Sequence, residues 1–250
     1  MNTGQVLETL SIVVLFCLIF LWGSSIYILK GLGQRNAVSV AGGAAVAYVF
    51  IQLLPELEHA AALFRQTTAH LELPFLEFVV HVATMLGFVV FYGLEEMVMV
   101  SRSAEARSAN EATREAPPVF SVHLAAFAAY AWLVSYLLVR SLEDLKFPLA
   151  LYALAMSLHF LSVAHALRRE YGGVYDRVGA RILAACCLLG WLSGVLVDMP
   201  KPMVVILLGL VACGVIANTT ISELPREKEG KFFPFAWGAV AYTGLLLFAR

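Results

Sequence analysis

The chain has 250 residues, 60% of them hydrophobic and only 14% charged, with a formal net charge of −1. A soluble domain carries nearer a quarter charged residues; this much apolar surface finds no core of matching size, so lipid is its natural solvent. The near-zero charge without a basic patch argues against nucleic acid as a partner, and no HExxH, GxSxG or P-loop string marks an enzyme.

Eight apolar runs follow one another. Leu7–Leu29 has nothing basic before it and, at about 23 residues, is too long for a secretory h-region, so a span is expected. Ala37–Leu54 ends in Gln52-Leu53-Leu54-Pro55-Glu56-Leu57-Glu58. Leu73–Val100 carries Gly87 and Gly93, then Glu95 and Glu96. The connection Ser101–Pro118 holds three basic and three acidic residues and no histidine, the composition of a solvated, partly helical or disordered linker. Val119–Val139 has His123 near one end and Tyr130 near its middle, and Phe147–Leu167 contains His159 and His165. Val178–Val197 includes Gly190-x-x-x-Gly194, a weak signal for close helix contact. Met203–Ile221 leads into Ser222-Glu223-Leu224-Pro225, and Phe232–Ala249 carries Gly238 and Gly244. Each run approaches or exceeds the roughly 20 residues that cross a bilayer as a helix. The expected fold is therefore all-α, an integral multi-pass membrane protein with one transmembrane domain over 1–250. Cys17, Cys186, Cys187 and Cys213 all lie inside apolar runs and read as small packing residues.

The basic residues give an orientation. Twelve of the 17 Lys and Arg residues sit on the first, third, fifth and seventh connections, and five on the other side. By the positive-inside rule those four connections, including 101–118, face the cytoplasm, and both termini are extracytoplasmic.

An internal symmetry follows. The second and seventh runs both end in Leu-Pro, at Pro55 and Pro225, and run in opposite directions across the bilayer. In the third and eighth runs, Gly87 to Gly93 matches Gly238 to Gly244, with Tyr92 and Tyr242 near the second glycine. Runs one to three and six to eight then form two inverted units around runs four and five, an arrangement that commonly flanks a site near the membrane midplane. Glycine and proline are also common in spans and at helix ends without any repeat.

These same strings resemble the ZIP (Zrt/Irt-like) family of divalent-metal transporters. The stretch from Ala41-Gly42-Gly43 to Leu53-Leu54-Pro55-Glu56 is similar to that family's second span, and Gly87 to Glu95 to its third. Gly214 to Pro225 and Phe235 to Tyr242 are similar to its seventh and eighth. The resemblance implies a ZIP-like 3+2+3 inverted-repeat bundle, zinc-type metal ion transport across the plasma (inner) membrane, and a homodimer. It also exposes departures. The family's fourth-span His-Asn-x-x-Asp-Gly string is absent, and the fifth-span His-Glu-x-x-His-Glu string is reduced to His159 followed by Phe160, with Val163 four residues on. Gln52 stands where the second span would carry histidine, and the histidine-rich third connection is missing.

A divalent cation needs several nitrogen or oxygen ligands and nearby negative charge in a low-dielectric site. The candidates for binding a metal or another solute are His159, Gln52, Ser162 and Tyr130, with Glu56, Glu95 and Glu223 as acids at the mouths. No resident cofactor is expected beyond a transported cation. His159 and His165 are six residues apart, about 240° around the helix, and cannot chelate together. The alternative for His159 is a neutral ring hydrogen-bonded to Ser162, a backbone carbonyl or Tyr130. The acids can equally cap helices or form ion pairs. The alternative for the chain is a ZIP-fold membrane protein that moves no metal and acts as a sensor, an interaction partner or a carrier of another small solute. A membrane hydrolase built on His159 would need a nucleophile that the sequence does not identify.

Overall fold

The computed structural model describes residues 3–23, 34–71, 74–107, 118–140, 149–219 and 231–248. Among them all regular structure is helical: α1 (Thr3–Trp22), α2 (Gln34–Tyr48), α3 (Leu54–Thr68), α4 (Val79–Arg107), α5 (Pro118–Arg140), α6 (Leu149–Tyr171), α7 (Ala180–Leu196), α8 (Lys201–Asn218) and α9 (Phe232–Phe248). Six stretches are long and apolar enough to cross a membrane, and α8 and α9 are shorter apolar helices. The chain is a multi-pass membrane protein by these spans. Its outward faces are apolar too: α4 exposes Met85, Leu86, Val89 and Val90, and α9 exposes Phe233, Trp237 and Val240. A helix turns such residues outward when its solvent is hydrocarbon.

The second run does not stop at Pro55. A π-helical turn, Val49–Leu53, joins α2 to α3, with the Leu54 N–H donating to the Val49 carbonyl. Pro55 then follows in the first turn of α3, directly after the π turn, where the shift in hydrogen-bond register accommodates a residue without an N–H. The result is one apolar rod, Ser39–Thr68. The Leu224-Pro225 counterpart lies outside the described residues. The third run begins later than its composition suggests, with a 3-10 turn at Pro74–Phe78 before α4, and α4 itself continues into the polar connection as far as Arg107. At the end of α6, Gly172 takes a positive φ of 53°, a conformation that favours glycine and ends the helix.

Four helix pairs build the bundle: α2 with α9, α5 with α7, α4 with α8, and α1 with α7. Their contacts fix relative direction. Trp191 Nε1 donates to Thr9 Oγ1, Cys17 Sγ to the Ala184 carbonyl and Tyr175 Oη to the Phe20 carbonyl, so α1 and α7 run antiparallel. Gly190 lies against Trp132 and Gly194 against Tyr136 and Val139, so α5 and α7 run parallel. A β-carbon on Gly190 would fall on the Trp132 carbonyl, which is why only glycine fits there.

The remaining two pairs are parallel and use matching positions. On α2 and α9, Ser39 Oγ accepts from Lys231 N–H, and Gly238 meets Val40. On α4 and α8, Gly209 meets Val80, and Gly87 meets Leu210. Superimposing Gly87 on Gly238 carries Val80 onto Lys231. Superimposing Pro55 on Pro225 carries Ser39 onto Gly209 and Val40 onto Leu210. Two contacts of one seam thus land on contacts of the other, while Gly43 against Phe235 and Gly87 against Cys213 have no such counterpart among the described contacts.

Candidate functional site

α5 and α6 run antiparallel and bring together two of the polar groups that the sequence singles out, Tyr130 and His159. His159, halfway along α6, is buried at 3% exposure. Its ring lies 5.7 Å from that of Tyr130, edge to face, and 6.0 Å from that of Phe160. Phe160 is wholly buried and packs on Phe16 and Phe20 of α1 with centroids 5.0 and 4.8 Å away. Tyr130 also meets Phe91 of α4, and Gly214 of α8 leaves room for its ring. The site that the resemblance would fill with carboxylates is therefore walled by aromatic rings. Ser162 is half-buried on the next turn of α6. His165 is half-buried as well, and its spacing places it off the His159 face.

Gln52 sits in the π turn and is wholly buried. Neither its amide oxygen nor its amide nitrogen has a hydrogen-bond partner among the described residues. Burying such a group without a partner costs about 1–3 kcal/mol, and π turns are frequent at functional sites. Four residues on, Glu56 lines a cavity of about 20 Å³ together with Tyr48, Tyr152 and Met156, roughly the space of one water. Tyr48 and Glu56 thus bracket Gln52 along the same rod.

The mouth acids divide. Glu223 lies outside the described residues. Glu95 does not stand at an open mouth; it faces His123. That histidine, at the start of α5, is 2% exposed. Its Nε2 is 3.6 Å from Glu95 Oε1 on α4 and its Nδ1 is 3.7 Å from Glu170 Oε2 on α6. Nδ1 also shares a 2.9 Å hydrogen bond with Tyr171 Oη. The sequence reading omitted Glu170 and Tyr171 because the Arg168-Arg169-Glu170 string looks like an interfacial charge run. The available signal was a lone acid after two bases at a helix end. At the opposite end of α5, Arg140 holds Asp198 at 3.1 Å and donates to the Val197 carbonyl at 2.6 Å, fastening the turn after α7.

No family model, curated protein or solved structure matches this chain. Its chemistry is therefore read from its own groups. Among the described residues, no set of three or more His, Cys, Asp or Glu side chains is grouped to hold a metal ion. Around His159 the nearest rings are aromatic and uncharged.

Proposed function

We propose that this chain is a ZIP-like membrane transport protein, with eight crossings, two inverted three-span units around α5 and α6, and a polar interior at Gln52 and His159 that meets the solute. Two contacts carry this reading: Ser39 with Lys231 and Val40 with Gly238 recur at matching positions as Gly209 with Val80 and Leu210 with Gly87. The positional shifts are the ones that align the two Leu-Pro strings and the two glycine pairs in sequence. Helix directions agree as well. Eight alternating crossings require spans one and six antiparallel, and spans two and eight, three and seven, and four and six parallel, which is the pattern of the four seams. Inverted units of this kind build their sites near the midplane, where His159 lies. The cytoplasmic side is then the end that holds His123, and both termini are extracytoplasmic.

Zinc-type metal is the cargo that the resemblance implies. The ring-walled surroundings of His159 favour the second reading, a ZIP-fold protein that carries an uncharged or weakly charged solute. A carboxamide and an imidazole recognise such a solute by hydrogen bonds without charge compensation. Flux of zinc, iron and manganese into proteoliposomes separates the two. The expected result is flux at the empty-liposome background, unchanged by His159→Ala. Saturable zinc uptake that His159→Ala abolishes would restore the metal reading. The repeat itself is tested in a protein without its four native cysteines by single cysteines at Gln66→Cys, in the last turn of the rod, and Leu224→Cys, which should react with an impermeant maleimide from opposite faces of the membrane.

A further inference from the structure

We propose that the chamber beside Glu56 is an internal water site, in which water shares hydrogen bonds with the Glu56 carboxyl group and the hydroxyls of Tyr48 and Tyr152. Its size selects the occupant. At about 20 Å³ it exceeds the roughly 10–15 Å³ that one water needs and is too small for an organic solute. Its walls select as well. A chamber of this volume with only apolar walls stays dry, because buried water keeps its place against two to four polar partners. Here aliphatic side chains of α5 and α8 form much of the wall, and Tyr48, Glu56 and Tyr152 are set into it. Both tyrosines lie within electrostatic reach of the Glu56 carboxyl group. Among the described residues, no hydrogen bond or ion pair within the protein occupies any of these three side chains. Leaving buried hydroxyl and carboxyl groups without partners is costly, and a bridging water satisfies more than one of them at once. A carboxyl oxygen accepts from water whether or not the group is ionised.

The chamber is a junction of helices. Tyr48 and Glu56 stand on either side of the π turn, Leu138 is near the end of α5, Tyr152 near the start of α6, and Leu208 within α8. Water held here joins both halves of the rod to α6. Tyr152, Met156 and His159 follow one another at i, i+4 and i+7, on one face of α6. Met156 lines the chamber and lies about one turn before His159. On the rod, Gln52 lies between Tyr48 and Glu56. The water therefore sits at the edge of the same polar interior that contains the two groups proposed to meet the solute.

The water site does not depend on the transport reading. The experiment is brief X-ray radiolysis of full-length protein in nanodiscs, in ¹⁸O-enriched water, read by mass spectrometry. Hydroxyl radicals form where water is, so a buried side chain beside bound water takes up label and a dry one does not. Met156 is 1% exposed and Phe160 is 0% exposed. Met156 and Tyr152 should be labelled in the parent, and Phe160 should not. In Glu56→Leu, which removes the carboxyl group, Met156 labelling should fall several-fold. Glu56→Gln, which still accepts a hydrogen bond, should retain it. Should Glu56→Leu fail to fold, as judged by helical circular dichroism, the double variant Tyr48→Phe/Tyr152→Phe should show the same fall. A parent without label at Met156 and Tyr152 overturns the proposal, as does Met156 labelling that the folded variants leave unchanged. Labelling that disappears when choline replaces sodium in the buffer would assign the chamber to a cation and overturn it too. Proteoliposome flux on the same samples tests transport separately, so a labelled chamber without flux leaves only the transport reading defeated.

Discussion

His159 and His123 are buried alike, 3% and 2% exposed, and stand two turns apart in the seam between α5 and α6. One is walled by Tyr130 and Phe160, the other by Glu95 and Glu170. The resemblance points to the first, while the charge lies at the second. An imidazole among rings is held by packing. An imidazole between carboxylates is part of an electrostatic unit whose members hold one another in place. Burial is the same for both, so burial alone does not make either functional.

Substitutions should separate the two sites. The largest effect is expected from His123→Ala, which leaves two partly buried carboxylates facing each other. Breaking such a unit costs about 3 kcal/mol or more, read as a lower thermal midpoint of the protein in detergent. Gln52→Leu should act in the opposite direction. Replacing a buried, unpartnered amide by an apolar group of similar shape should gain roughly 1–2 kcal/mol, and it should abolish any solute flux that the wild type shows. His159→Phe, a volume-conserving change in a ring-lined pocket, should cost less than about 1.5 kcal/mol. If His159→Phe proves as damaging as His123→Ala, the contrast between the two sites is gone. The smallest effect is expected for Tyr171→Phe, which removes one hydrogen bond to His123 and should cost about 1 kcal/mol with the helical signal intact.

Much of the architecture was readable beforehand. Eight apolar runs announce the helices, of which six stretches are long and apolar enough to cross a membrane. Gly190 and Gly194 of α7 do lie close against α5, as their spacing suggests. Two features were not readable. Pro55 reads as a stop because proline ends helices; that it opens a new first turn depends on the π turn before it, and Val49–Leu53 has no composition that marks one. The His123 cluster draws Glu95, His123 and Glu170 from three helices far apart in sequence. Each alone reads as an interfacial cap, and only the crossing of α4, α5 and α6 joins them.

The π turn has a mechanical consequence. Compared with an α-helical turn it accommodates one more residue, so the segment beyond it is rotated by about 100° relative to an unbroken α-helix. Deleting one residue between Val49 and Leu53 would remove that phase offset while keeping the rod continuous. Everything from Leu54 onward would turn as a body. Glu56 would leave the chamber it shares with Tyr48 and Tyr152, and Glu58 would swing off His81, which it now holds at 3.6 Å. The rod behaves as two gears on one shaft, and the π turn is the key that sets their timing.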